Sequence, residues 1–89
     1  MRSSVYSTQY QALRNWLKTK RLEKSLSLRD VGELVGRHHS VIGKLEQDRR
    51  KIDIVEYVEY CVALEIDPKE GVDVISRVIN ANQKPDLLK

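Results

Sequence analysis

The chain has little of what a catalytic, disulfide-bonded or membrane-spanning protein needs. Its one cysteine, Cys61, excludes an internal disulfide. No apolar run approaches the roughly 20 residues required to span a bilayer. The N-terminus M-R-S-S-V-Y-S-T lacks the apolar core of a signal peptide, so a cytoplasmic location is expected. There is no glycine-rich phosphate loop and no Ser/His/Asp constellation, and the thiol has no positioned base. An enzyme and a cofactor are therefore not expected. His38 and His39 with Cys61 suggest a metal only superficially. Adjacent histidines project in different directions, and a structural zinc site needs four ligands at characteristic spacing. No internal repeat or low-complexity tract is present.

What is present is charge, unevenly spread. The 89 residues make one small domain with a net charge of +3. Residues 1–51 hold twelve Lys and Arg against five Asp and Glu, a balance of +7, whereas residues 52–89 hold four against eight, a balance of −4. A basic half beside an acidic half gives the field a direction, which suits an anionic partner on one side.

The patterning predicts five helices and no strand. The first starts at Ser7 or Thr8, where Thr8 and Gln11 can form a capping box, and runs to about Lys24. Tyr10, Leu13 and Leu17 form its apolar stripe, flanked by Trp16. Two short helices follow, near 28–35 and 39–47. A fourth opens at Asp53, with Ile54, Val58, Cys61 and Leu64 as its inner face and Val55 and Val62 as a second apolar strip. Asp67-Pro68-Lys69-Glu70 starts the fifth: a capping residue, proline at the first helical position, then glutamate. Val72, Ile75, Val78 and Ile79 lie along one side of it, with Val74 adjacent, and Gly71 permits close packing. From Asn80 the pattern is lost. The expected layout is a domain over 8–79 and a tail over 80–89, either frayed or clasping a partner through Leu87 and Leu88.

The stretch from Ser27 to Glu46, S-L-R-D-V-G-E-L-V-G-R-H-H-S-V-I-G-K-L-E, is the most informative. Ser27 can cap a helix whose first turn carries Asp30. Leu28, Val31 and Val35 face the core. Gly32 leaves room for a second backbone, and Gly36 can take the left-handed conformation that ends a helix. Ile42 and Leu45 then bury a second helix whose other face carries His39, Ser40, Gly43, Lys44 and Gln47, none of them acidic. This pattern fits a helix-turn-helix aimed at the DNA major groove.

The same residues resemble the phage-repressor, or Cro-like (XRE), class of helix-turn-helix regulators. The likeness rests on Val31-Gly32, on Gly36 in the turn, and on the ending Ser40, Ile42, Leu45 and Glu46. It extends upstream through Leu17-Lys18-Thr19-Lys20-Arg21 and downstream through Arg49-Arg50 and D-I-V-E-Y. It implies an all-α, compact five-helix domain of the lambda-repressor-like DNA-binding type, with the motif at 28–47. By resemblance, Arg21 and Glu46 form a structural ion pair between the first and third helices. The family often has glutamine where Leu28 stands, an apolar residue where Arg37 stands, and glycine where Asp48 stands. Leu28 thus removes one expected phosphate contact, and Arg37 is the candidate to replace it.

On this reading His39, Ser40, Lys44 and Gln47 read base edges, while the alternative for His39 and Ser40 is an ordinary exposed position or a helix cap. Gly43 either lets the helix sit deep in the groove or simply packs. Phosphates fall to Arg37 and His38 in the turn, to Arg49, Arg50 and Lys51 beyond the second helix, and to the amides at Leu28 and Arg29. The expected function is a dimeric repressor that binds double-stranded DNA at an inverted repeat. Val55, Val62, Val74 and Val78 are the candidates for the homodimer surface, or else additional core. The rival is a protein-interaction module on the same scaffold, docking a toxin or RNA polymerase.

Overall fold

Side-chain caps set where four of the helices begin. The computed structural model describes residues 8–47 and 51–82. It comprises α1 (Thr8–Glu23), α2 (Leu28–Val35), α3 (His39–Glu46), α4 (Ile54–Leu64) and α5 (Pro68–Asn82). Ser27 and Asp30 form a reciprocal capping box on α2, with the Asp30 amide donating to Ser27 Oγ at 3.0 Å and the Ser27 amide to Asp30 Oδ2 at 2.8 Å. Asp53 Oδ1 accepts from the Val55 and Glu56 amides at the head of α4, and Asp67 Oδ1 from Lys69 at the head of α5. His38 caps α3. Helix α1 already includes Thr8, so Thr8 is not the residue that precedes it, and position 7 lies outside the described residues.

Three helices end in the same way. Residues Ser25, Gly36 and Glu65 are left-handed, with φ of 59°, 74° and 57°. Each is followed by an amide that reaches back five residues: Leu26 to Arg21, Arg37 to Gly32, Ile66 to Cys61. Leu26 and Ile66 then pack on the core, which fixes the exit of the chain from α1 and α4.

The core gathers Leu13 and Leu17 from α1, Val31 from α2, Ile42 and Leu45 from α3, and Tyr57, Tyr60, Cys61 and Leu64 from α4. Two faces differ from those expected. On α4 the buried side is Tyr57, Tyr60, Cys61 and Leu64, whereas Ile54 is 66% exposed and Val58 stands at the edge. The two tyrosines decide the rotation. Each buries a large ring, and each hydroxyl finds a partner: Tyr57 donates to the Pro68 carbonyl, and Tyr60 donates to Glu46 while lying 3.3 Å from the Leu17 carbonyl. A count of aliphatic residues alone misplaces the face.

On α5, Ile75 packs on the core while Val72 and Ile79 are exposed and Val74 and Val78 are half-buried. The helix is seated by Gly71, where an added Cβ would lie 2.2 Å from the Tyr57 hydroxyl, 2.8 Å from Trp16 and 2.9 Å from Leu13. It packs chiefly on α1 and continues through Asn82, past the expected end at position 79. Leu87 and Leu88 of the tail lie outside the described residues.

Candidate nucleic-acid interface

Helix α3 is pinned from one side and open on the other. Ile42 and Leu45 are each 1% exposed, while Ser40, Lys44 and Gln47 face solvent and His39 is half-buried. Its one carboxylate, Glu46, is turned inward. Arg21 Nε donates to Glu46 Oε2 at 2.6 Å and Nη2 to Oε1 at 2.9 Å, and Arg21 Nη1 also holds the Leu26 carbonyl. The outward face of α3 is therefore free of negative charge, as a surface presented to DNA must be.

The turn is built by two glycines. At Gly32 a Cβ would sit 2.7 Å from the Arg37 carbonyl oxygen and 3.2 Å from the His39 backbone, so only glycine lets α3 start so close to α2. Gly36 supplies the left-handed residue that turns the chain. Gly43 is buried, and its Cβ position lies 3.6 Å from Leu28 Cδ1. It therefore belongs to the side of α3 that faces α2, not to the outer face.

Two residues expected at phosphates are engaged within the domain. Arg37 reaches α4, with Nε donating to Glu59 Oε1 at 3.0 Å and Nη1 lying 3.6 Å from Glu56 Oε2. Both carboxylates raise its pKa, Glu59 more than Glu56. His38 Nδ1 accepts from the Ser40 amide at 3.1 Å and lies 2.9 Å from the Ser40 hydroxyl. The cap is thus His38, not His39 or Ser40, for which capping is only the alternative to DNA contact. The two imidazoles stand 4.2 Å apart, centroid to centroid. Loss of hydration holds His39 below the usual histidine range, and nearby His38 and Arg29 add to the shift.

Arg29 and Lys51 are exposed, whereas Leu28 is half-buried against Gly43. Arg49, Arg50 and Asp48 lie outside the described residues. Of the dimer candidates, Val55 and Val62 are exposed, and with Leu34, Ile54 and Val58 they line an apolar groove of about 520 Å3 between α2 and α4.

Sequence reasoning missed Arg14, which is 2% exposed. Its Nη1 donates to the carbonyls of Lys44 at 3.2 Å, Leu45 at 2.6 Å and Gln47 at 2.5 Å. The signal was available: Arg14 lies four residues after Tyr10 and three before Leu17, a cation on the buried stripe of α1. Among the described residues no cluster of His, Cys, Asp and Glu could hold a metal, and no helix is long and apolar enough to cross a membrane.

Several solved structures share this architecture. An XRE-family-like protein from Pseudomonas syringae pv. tomato superposes with a TM-score of 0.73 at 24% identity, covering 79% of this chain and 85% of its own. The clp gene regulator ClgR from Corynebacterium glutamicum gives 0.70 at 19% identity, over 81% and 94%. The restriction-modification controller protein C.AhdI from Aeromonas hydrophila gives 0.62 at 28% identity, over 73% and 99%. No family model matches the sequence, and no curated protein matches it significantly. The five helices, the tight glycine turn and these likenesses together give the chain the fold of XRE-type, lambda-repressor-like helix-turn-helix domains.

Proposed function

We propose that this protein is a sequence-specific DNA-binding transcriptional regulator that reads the major groove with α3. The observation that carries the reading is the carboxylate-free outer face of α3, held outward by buried Ile42 and Leu45 and by the inward pairing of Glu46. The structural neighbours are named as regulators, which supports a binding role over an enzymatic one. Ser40, Lys44 and Gln47 are the base readers, with His39 at the helix head. Arg29, Lys51, Arg49 and Arg50 grip phosphates, assisted by the amides at the start of α2. Arg37 and His38 serve chiefly to hold the turn and the helix head in place.

The regulator acts as a homodimer and represses by occupying an inverted repeat, since one small domain offers few base contacts. Its twofold surface is the groove between α2 and α4. Leu34, Ile54, Val55, Val58 and Val62, each more than a third exposed, form an apolar patch along it. The half-buried Val74 and Val78 contribute less.

Selection of bound fragments from a random DNA pool tests the reading. One enriched motif with twofold symmetry, half-sites about 10 base pairs apart, is expected. Lys44→Ala with His39→Ala should abolish preference for that motif over random DNA. Val58→Glu should make the protein monomeric in sedimentation. If no fragment is enriched, yet the groove captures a partner protein, the interaction-module reading replaces this one.

A further inference from the structure

We propose that Arg14 is a positioning residue for base recognition: from α1 it holds the C-terminal end of α3, and with it Lys44 and Gln47, at the angle that reading requires. The inference rests on the DNA-reading role of α3 given above.

The case begins with how the helices end. The last carbonyls of any helix have no partner within it. In α1, α2 and α4 a left-handed residue turns the backbone so that later amides meet those carbonyls. Helix α3 has no such turn, because Gln47 is extended with φ −114° and ψ 166°. One guanidinium nitrogen takes over instead: its two N–H groups donate to the Leu45 and Gln47 carbonyls at 2.6 and 2.5 Å and are shared with the Lys44 carbonyl at 3.2 Å. A cation there also complements the negative end of the helix dipole.

The placement has consequences for reading. Two of the three carbonyls belong to Lys44 and Gln47, the residues whose side chains leave the same backbone on the outer face. Arg14 itself is buried, with its guanidinium 5.8 Å from the centroid of the Tyr10 ring. It is thus tied to α1 at one end and to α3 at the other, and cannot reach DNA without leaving both. Bidentate base contacts tolerate little error in position, and each good one is worth about 1–3 kcal/mol of discrimination. A frayed or tilted end of α3 would forfeit that discrimination while the phosphate grip persists.

The test uses the full chain and the motif it selects from a random pool. The readout is the ratio of affinities for that motif and for random DNA, together with the salt dependence of each. Arg14→Met should lower the ratio at least about tenfold and leave the salt slope unchanged. A purely structural role would lower both affinities alike through the folded fraction and leave the ratio intact, which would overturn the proposal. A salt slope reduced by about one would place Arg14 on a phosphate and overturn it too. Arg14→Lys keeps the charge with fewer directed donors, so its ratio should fall between those of wild type and Arg14→Met. If Arg14→Met does not fold, Arg14→Lys decides alone: a several-fold loss of ratio with intact helical circular dichroism supports the proposal, and a wild-type ratio ends it. Failure of the wild-type chain to select any motif would overturn the DNA reading itself.

Discussion

Arg21 and Glu46 meet side by side through two charge-assisted hydrogen bonds, with both side chains less than one-tenth exposed. Tyr60 donates its hydroxyl to the same carboxylate from α4. One pair thereby joins the end of α1, the end of α3 and the middle of α4. Glu46 raises the Arg21 pKa against the opposing effect of burial. Loss of hydration, more than the hydrogen bond to Glu46, drives the Tyr60 hydroxyl well above its ordinary value. The arrangement keeps the acid of α3 off its solvent-facing side.

Removing one partner should therefore be far worse than removing both. Glu46→Ala leaves a buried guanidinium unpaired, and the loss expected is about 3–5 kcal/mol in urea unfolding. Arg21→Met with Glu46→Leu replaces both charges by apolar groups and should cost less than Glu46→Ala alone. A double variant as unstable as the single would mean that packing, not the ion pair, is what the site supplies.

The left-handed ends of α1 and α4 carry Ser25 and Glu65, side chains that are strained at φ 59° and 57°. Ser25→Gly and Glu65→Gly should each stabilise the fold, by about 0.5–1 kcal/mol after the extra entropy of an unfolded glycine is deducted. The reverse change, Gly36→Ala at φ 74°, should destabilise by about 1–2 kcal/mol. Thermal midpoints of the three variants check the order.

The turn motif was legible because its chemistry is local. Ser27 with Asp30, Gly32 and Gly36 each act on neighbours in sequence, and Asp67-Pro68 does the same for α5. The rotation of α4 was not legible, because it depends on where the hydroxyls of Tyr57 and Tyr60 find acceptors on α1, α3 and the start of α5. Arg37 and Arg14 show the same limit: the partners of an arginine are not its neighbours in sequence. Only the fold brings Glu56 and Glu59 to the first and three helix-end carbonyls to the second. The Arg21–Glu46 pair was reached through family resemblance, not through any property of the two residues alone.

Acid should weaken the fold in two steps. Loss of hydration, then His38 and Arg29, hold His39 below its usual 6.5, so the unfolded chain takes up that proton more readily. This contribution is complete above 6.5 and is lost as pH falls through the lowered value. Hydrogen bonds to Ser27 hold Asp30 below its usual 3.8, so its contribution is complete above 3.8 and disappears as pH falls through the folded value. Urea midpoints should be flat above about pH 7, decline below it, and decline again in stronger acid. His39→Asn should remove the first step and Asp30→Asn the second. A midpoint that rose on mild acidification would contradict the His39 assignment, and one that held steady below pH 3.8 would contradict that of Asp30.

Burial pushes the Cys61 thiol up to about 11. At mildly alkaline pH it is protonated and enclosed, so the native protein should resist Ellman's reagent for as long as it stays folded. Full reaction is expected once urea passes the unfolding midpoint. Rapid labelling of native protein would show that α4 opens locally.

The three helical glycines should respond to alanine in different ways, and the differences separate packing from DNA reading. At Gly32 the new methyl would meet the Arg37 carbonyl oxygen at 2.7 Å, a backbone atom that cannot step aside without opening the turn. Gly71→Ala meets the Tyr57 hydroxyl at 2.2 Å, and that hydroxyl is anchored to the Pro68 carbonyl. Both variants should lose about 1–3 kcal/mol, the range for overpacked interiors. Gly43 is the contrast, since its methyl would make only an ordinary contact with Leu28 at 3.6 Å. Alanine is also the better helix former by about 1 kcal/mol, so Gly43→Ala should raise the thermal midpoint. If Gly43 matters to DNA only through the packing of α3 on α2, Gly43→Ala will also keep wild-type motif preference. A stable Gly43→Ala protein that had lost that preference would instead show that the helix lies against DNA too closely to admit a methyl group.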